Sequence, residues 1–304
     1  MLKLINVSKS YADKIAVKNL SFEVCRGEIF GLLGPNGAGK TSTIRMICGI
    51  TYPDSGTVEF LGKPVSAESQ SKIGYLPEER GLYKKMTVRE TLLYFAELKG
   101  LSRAEAKRRV QQWAHRFEIH SWLTKKVEEL SKGMQQKVQF LSTILHDPEL
   151  LIFDEPFSGL DPINAELIMD VIMELKKAGK TILFSTHRME QVEKLCDSIA
   201  LINNGENVLS GKVRDIKSAY GKNHVHLDFE GSGDFIDLLV ARGKVEVCNR
   251  SPKSIELKLL NSTTPKDILS HLSHVDITRF ELAAPSLKEI FIMRVGETNA
   301  APSA

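Results

Sequence analysis

The chain has 304 residues, 42% of them hydrophobic and 26% charged, with a net charge of +3, ordinary values for a globular chain of one or two domains. Acidic and basic residues are interspersed, which gives no strong case for nucleic acid, and the four cysteines (Cys25, Cys48, Cys196, Cys248) show neither disulfide nor metal spacing. No apolar run approaches a membrane span and the N-terminus lacks a secretory apolar region, so the chain is expected in the cytoplasm, with any membrane role supplied by a partner.

The first 28 residues alternate and turn like antiparallel strands, over Leu2–Val7 and Ile15–Phe22. Ile29–Leu33 is an apolar run of the kind buried on both faces in a parallel sheet. Gly34-Pro35-Asn36-Gly37-Ala38-Gly39-Lys40-Thr41 follows at once, and Ile44, Ile47 and Ile50 then recur at helical spacing. Thr57–Phe60 predicts a short strand, and Lys72–Leu76 leads into a loop of mixed charge at 77–86. Thr87-Val88-Arg89-Glu90 and Ser102-Arg103-Ala104-Glu105 read as capping boxes, so 87–146 is expected to be mostly helical. Glu149–Phe153 and Thr181–Ser185 are buried-strand runs on either side of a helix over about 162–178, which Gly179 closes.

The character changes after Gly211. Strand-like Val225–Phe229, helical Phe235–Ala241, strand-like Lys244–Cys248 and Ser254–Leu260, helical Pro265–Leu272 and strand-like Val275–Leu282 give the order βαββαβ, the split-βαβ or ferredoxin-like pattern. A last helix follows Pro285, and 296–304, small and polar, reads as a disordered tail. The expected domains are 1–217 and 222–295.

Three segments carry chemistry. Strand, glycine loop and helix is the context in which G-x-x-x-x-G-K-[ST] holds phosphate. Gly34, Gly37 and Gly39 permit the tight turn, and the amides of the loop and helix start, including Asn36, Ala38 and Ser42, form an anion nest. Lys40 adds a point charge, and the Thr41 hydroxyl is a Mg²⁺ ligand. The second segment is the strand Leu150–Phe153 ending in Asp154-Glu155-Pro156, which puts two carboxylates at the ligand-binding edge of a parallel sheet. Asp154 is placed to hold Mg²⁺ and Glu155 to polarise an attacking water; alone, the pair could equally be a solvated strand end. The third is Leu130-Ser131-Lys132-Gly133-Met134, where a serine hydroxyl at a helix start is either an anion site or simply a cap.

With this third segment the chain resembles the ATP-binding subunit of an ABC transporter. The segment is similar to the family's signature Leu-Ser-Gly-Gly-Gln, keeping Ser131 and Gly133 and departing at Lys132 and Met134. The resemblance implies that Ser131 and Gly133 face the γ-phosphate bound by the other subunit of a dimer. It implies that Tyr11 stacks on adenine, that Asp161 in Ser158-Gly159-Leu160-Asp161 links the two composite sites, and that His187 contacts the γ-phosphate. Glu78, after Ile73-Gly74-Tyr75-Leu76-Pro77, stands where the family has Gln; a carboxylate there can still ligate Mg²⁺. The region ending in Pro285–Phe291 resembles the accessory C-terminal domain of ABC-2-type exporter ATPases, including sodium-extrusion and drug-resistance subunits.

The implied fold is an α/β P-loop NTPase cassette with a mixed-sheet core, an antiparallel β subdomain and a helical subdomain, followed by a small α+β ferredoxin-like domain. The implied function is ATP hydrolysis to ADP and phosphate, with ATP closing a homodimer against a separate integral membrane permease at the cytoplasmic face of the membrane. Residues 78–130 are the expected permease contact, and no nucleic acid is expected as partner. The competing reading is a soluble regulatory or non-transport ABC ATPase; the long coiled-coil insertion and tandem cassettes of such relatives are not in the sequence. The C-terminal pattern leaves sensor and dimerisation module both open.

Overall fold

The computed structural model describes residues 1–300 apart from 13, 80, 273 and 274, with side chains through Arg294. Two units divide the chain, Met1–Lys212 and Val213–Ala304. The first opens with strands β1 (Leu2–Tyr11), β2 (Lys14–Val24) and β3 (Ile29–Leu33), then helix α1 (Lys40–Ile47). Next come β4 (Ser55–Phe60), β5 (Lys63–Pro64), α2 (Ala67–Gln70), β6 (Ile73–Leu76), α3 (Val88–Leu98), α4 (Arg103–Arg116) and α5 (Lys132–Ile144). It closes with β7 (Leu150–Asp154), α6 (Pro162–Lys177), β8 (Thr181–Thr186), α7 (Met189–Leu195), β9 (Ser198–Asn203) and β10 (Glu206–Lys212).

These strands make two sheets. One is antiparallel, in the order β2-β1-β4-β5; the other runs β10-β9-β3-β8-β7-β6, parallel except for the β10–β9 hairpin. This is the expected cassette core. Alternating Leu2, Leu4, Val17, Leu20 and Phe22 from the first sheet meet Phe30, Leu32, Ile152 and Leu183 from the second, with Ile44 and Ile47 of α1 packed into the same core. The helix that opens at the glycine loop therefore lies between the sheets, ending at Ile47 with Cys48 as C-cap and Gly49 left-handed at φ 65°, so Ile50 falls outside it and is exposed.

Odd-numbered residues of β7 and even-numbered residues of β8 point to the other face. There Phe153 stacks on Phe140 of α5 at 5.0 Å, and Phe140 packs against Phe117 at 5.9 Å. Truncating such a buried ring to alanine costs about 3–5 kcal/mol. These rings fasten the helical subdomain to the strand that ends at Asp154. The Thr87 capping box is complete: Thr87 Oγ1 accepts from the Glu90 amide, and the Thr87 amide donates to Glu90 Oε2. The Ser102 box is only half formed. Ser102 Oγ accepts from the Glu105 amide, but the Glu105 carboxylate turns to Arg108 and Arg109, whose hydrogen bonds hold it down at about 2.

His146 follows α5 with its Nε2 against Ile73 O at 3.3 Å and its Nδ1 buried without a partner among the described residues. Burial, reinforced by Lys99, pushes the imidazole down from 6.5 to about 4. A histidine whose folded value lies below its unfolded value stabilises the fold in full above about 6.5 and loses that contribution as pH falls towards 4. Stability is expected to drop by about 2 kcal/mol between pH 7 and pH 5 from this group alone. Denaturant melts at the two pH values, with His146→Gln as the flat reference, measure it.

The second unit contains α8 (Val213–Ala219), β11 (His224–Glu230), α9 (Asp234–Ala241), β12 (Val245–Arg250), β13 (Ser254–Leu259), α10 (Pro265–Leu269), β14 (Asp276–Ala283) and α11 (Leu287–Ala300). Its sheet is antiparallel in the order β12-β13-β11-β14, the ferredoxin-like arrangement. Val225, Leu227 and Phe229 of β11 meet Phe235, Ile236 and Leu239 of α9 in its core. The backbone of α11 continues into the segment expected as a tail; residues 301–304 lie outside the described residues.

Candidate functional site

Residues 34–39 cross from the end of β3 to the start of α1, and the crossing is tight on both sides. A Cβ on Gly34, at φ 153°, would stand 2.2 Å from the Ile202 carbonyl oxygen of β9. One on Gly39, at φ 107°, would stand 2.3 Å from the Ala16 carbonyl oxygen of β2. No L side chain fits either place. The Ala38 amide donates to Pro35 O at 3.2 Å, and the Gly205 amide donates to Ala38 O at 3.0 Å.

Lys40 is buried by this geometry. Its Nζ donates to Gly34 O at 2.7 Å and Pro35 O at 3.0 Å, and burial holds the ammonium below its usual range. Next to it Thr41 Oγ1 stands 3.4 Å from Asp154 Oδ2. Asp154 is 2% exposed, and burial pushes its carboxyl upward, with Glu78 and Glu155 adding to the push. Glu155 follows with a left-handed backbone at φ 50°, unusual for a residue with a Cβ. Its amide donates to Ser185 O at 2.9 Å, which locks it to the end of β8. Its Oε1 takes the His187 amide at 2.8 Å and His187 Nδ1 at 2.7 Å, and its Oε2 takes the Thr186 hydroxyl at 3.1 Å. The carboxylate is thus held from three directions.

These groups share one cleft of about 410 Å³. Tyr11, Asn36, Gly37, Gly39, Lys40, Thr41, Ser42, Glu78, Asp154 and Glu155 all line it, together with Lys14 and Ala16. The lining divides chemically between basic groups with the glycine loop and the three carboxylates Glu78, Asp154 and Glu155. That division suits a polyphosphate bridged to a hard cation: a buried carboxylate, a hydroxyl and a further carboxylate are oxygen donors, the set that magnesium takes.

A family model for the ABC transporter ATP-binding domain, described as ABC transporter, matches residues 17–158. The ABC transporter ATP-binding protein YhaQ of Bacillus subtilis (strain 168) is 45% identical over 97% of this chain and 99% of its own length. The chain belongs to the ABC transporter ATP-binding proteins. A second family model, the C-terminal domain of DrrA1-3-like ATP-binding proteins, matches 211–295 of this ABC protein. The linearmycin resistance ATP-binding protein LnrL of the same organism is 33% identical over 98% of the chain and 99% of LnrL. Among solved structures, an ATP-binding subunit of an ABC transporter superposes with a TM-score of 0.68 at 34% identity, covering 73% of this chain and 93% of that one. The dimeric, post-hydrolysis cassette MJ0796 bound to ADP and Pi gives 0.66 at 25% identity, covering 70% and 99%.

Six of the residues expected at the nucleotide of this ABC protein are not in the cleft lining: Gly34 and Ala38 lie within the glycine loop, His187 lies against Glu155, and Ser131, Gly133 and Asp161 belong to other elements. Ser131 is the N-cap of α5, where its Oγ accepts from the Met134 amide at 3.3 Å, so the residue that replaces the signature glutamine serves the cap through its backbone. Gly133 packs at the loop 159–160: a Cβ there would lie 3.6 Å from Gly159 O. Asp161 caps α6, its Oδ1 accepting from the Asn164 amide at 3.0 Å, with Pro162 in the first turn. These last three are exposed or half-buried. Sequence reading missed Lys14, Ala16 and Thr186. Thr186 carried a signal, standing between a core strand and His187; Lys14 and Ala16 reach the cleft only because β2 packs beside the glycine loop.

Proposed function

We propose that this chain is the ATP-hydrolysing motor subunit of an ABC exporter, working as a homodimer with a separate membrane permease at the cytoplasmic face of the membrane. The observation that carries the reading is the cleft itself, which Lys40, the glycine loop, Asp154, Glu155 and Tyr11 line together. Relatives named for linearmycin resistance and for Nod factor export support export as the direction. Among the described residues no helix is long and apolar enough to cross a membrane, which fits a subunit that works against a permease. Exposed Tyr83 and Tyr94, packed edge to face at 5.5 Å beside Phe95, offer the permease an aromatic surface within 78–130.

In this reading Gly34 to Ser42 wrap the β- and γ-phosphates with backbone amides, and Lys40 exchanges its two carbonyl partners for phosphate oxygens. Thr41, Asp154 and Glu78 would hold Mg²⁺, which when bound neutralises charge on the β- and γ-phosphates. Glu155 orients the attacking water and accepts its proton, steadied by Thr186 and His187. His187 sits between that carboxylate and the γ-phosphate. Ser131 and Gly133 of a second copy complete the site, and Asp161 ties the two sites together. The electrostatic advantage of the fixed donors is that they need no reorganisation as charge develops.

The deciding experiment is purification of the native chain from membranes. An integral membrane partner should co-elute, and that complex should release phosphate from ATP faster than the chain alone; a chain recovered with no membrane partner would make it a non-transport ATPase. Glu78→Gln is expected to keep or tighten Mg·ATP binding by up to about tenfold, because it removes one negative charge that bears on buried Asp154. Calorimetric titration reads this directly, and loss of binding would make Glu78 an obligatory ligand.

A further inference from the structure

The C-terminal sheet carries a cluster that the nucleotide chemistry does not use. His224 opens β11, Cys248 lies in β12 and Glu289 is in the first turn of α11; one potential ligand atom from each lies within 4.8 Å of the others. Val225, Leu227 and Phe229 point into the core of the domain, so by alternation His224 points to the opposite face. Cys248 falls at the register shift between Val247 and Asn249 in the β12–β13 pairing, a bulge of the kind that re-aims a side chain.

The surroundings aim the three groups at one another, with the Cys248 thiol hydrogen-bonded to the Glu289 carboxylate. The His224 side chain is 2% exposed. Its Nδ1 meets Asn223 Oδ1 at 2.8 Å; an amide oxygen only accepts, so Nδ1 carries a hydrogen, and in the neutral ring Nε2 carries the lone pair. Nε2 is buried and makes no hydrogen bond among the described residues, although Glu289 Oε1 lies 3.1 Å away. Glu289 cannot turn aside, because its Oε2 accepts from the Ser286 amide at 2.8 Å and the Ser286 hydroxyl at 2.9 Å. The Glu289 amide returns a bond to Ser286 Oγ at 3.3 Å, which completes a capping box at the start of α11. The box uses one carboxylate oxygen and aims the other at the histidine. A buried nitrogen lone pair against a carboxylate oxygen is unfavourable, and either a proton on Nε2 or a bound cation relieves it.

We propose that His224, Cys248 and Glu289 form a binding site for one divalent metal ion of the zinc class. Imidazole, thiolate and carboxylate together suit zinc, whereas magnesium and calcium take oxygen donors alone. Cys248 is exposed, so the fourth position opens to solvent on its side. Loading releases the thiol proton to water as the sulfur–metal bond forms. Asn223 acts as a positioning residue by fixing the tautomer, and Ser286 does the same for the carboxylate. The ion would pin the start of α11 to two strands that are not neighbours in the sheet.

The test uses the full chain, stripped with a chelator, held in a phosphine reductant with excess Mg²⁺ to fill the carboxylates of the nucleotide cleft. Cobalt(II) should produce a thiolate-to-cobalt charge-transfer absorption that a single equivalent of zinc abolishes. Cys248→Ser should remove that band, while Cys25→Ser, at the other exposed thiol, should keep it. Asn223→Ala should weaken zinc about tenfold. Zinc should also raise the unfolding midpoint of the wild-type chain and not that of Cys248→Ser. Absence of the band in the wild type, or its survival in Cys248→Ser, would overturn the site and leave a protonated His224 paired with Glu289.

Discussion

Replacing Glu155 by glutamine is expected to lower ATP turnover by about 10²–10⁴-fold, the range that a positioned general base contributes. The amide cannot accept a proton from water at neutral pH. The rest of the site should survive, because the anchoring contacts do not depend on the charge. The left-handed backbone and the amide bond to Ser185 O are unchanged by the substitution, and an amide oxygen still accepts from the His187 amide. Nucleotide affinity should therefore hold within a few-fold. If the second copy supplies Ser131, the variant should accumulate as an ATP-bound dimer, visible as a shift in elution volume when Mg·ATP is added. Phosphate release and light scattering on one preparation separate the outcomes. Turnover at the wild-type rate would remove Glu155 from the base role, and lost turnover with lost binding would make it structural.

The second large effect is expected at Lys40. Methionine fills almost the same volume without the charge, so the buried stem between the sheets stays packed. What is lost is a cation already stripped of most of its water and held by two carbonyl oxygens at 2.7 and 3.0 Å. A charged hydrogen bond of this kind contributes up to about 3 kcal/mol, so Mg·ATP should bind roughly 100-fold more weakly. The free protein should melt close to wild type, since removing a desolvated ammonium offsets leaving the Gly34 and Pro35 carbonyls without that donor. Fluorescent-nucleotide titration and a thermal melt are both needed: unchanged affinity would relieve Lys40 of the phosphate role, and a large fall in the melt would show that it braces the loop.

The sequence reached furthest where chemistry and spacing are local. The strand, loop and helix around Lys40, and the strand that delivers Asp154 and Glu155, are each contiguous, so pattern and place coincide. The ferredoxin-like domain was legible for the same reason, its strands and helices alternating in chain order. The hairpin β9–β10 went unread although it carried a signal. Asn204 and Gly205 both adopt positive φ, 49° and 80°, the requirement of a type I′ turn that Asn-Gly meets. Ser102-x-x-Glu105 shows the opposite failure: the capping spacing was present, but two arginines one turn on competed for the carboxylate and won it. Lys14 and Ala16 could not be read at all, because only the packing of one sheet on the other brings them to the cleft. His224, Cys248 and Glu289 were hidden in the same way, gathered from three separate elements by a bulge and a helix cap.

Gly34 and Gly39 have a consequence that extends beyond phosphate. Each lies against a main-chain carbonyl, one on β9 and one on β2, so the loop is gripped by both sheets at once. Nucleotide affinity and the spacing of the sheets are therefore linked quantities: whatever tightens one must favour the other. A mutation in the core between the sheets, far from any ligand atom, should surface first as weakened ATP binding. In return, the nucleotide should slow hydrogen exchange along β2 and β9, strands that largely lie away from it.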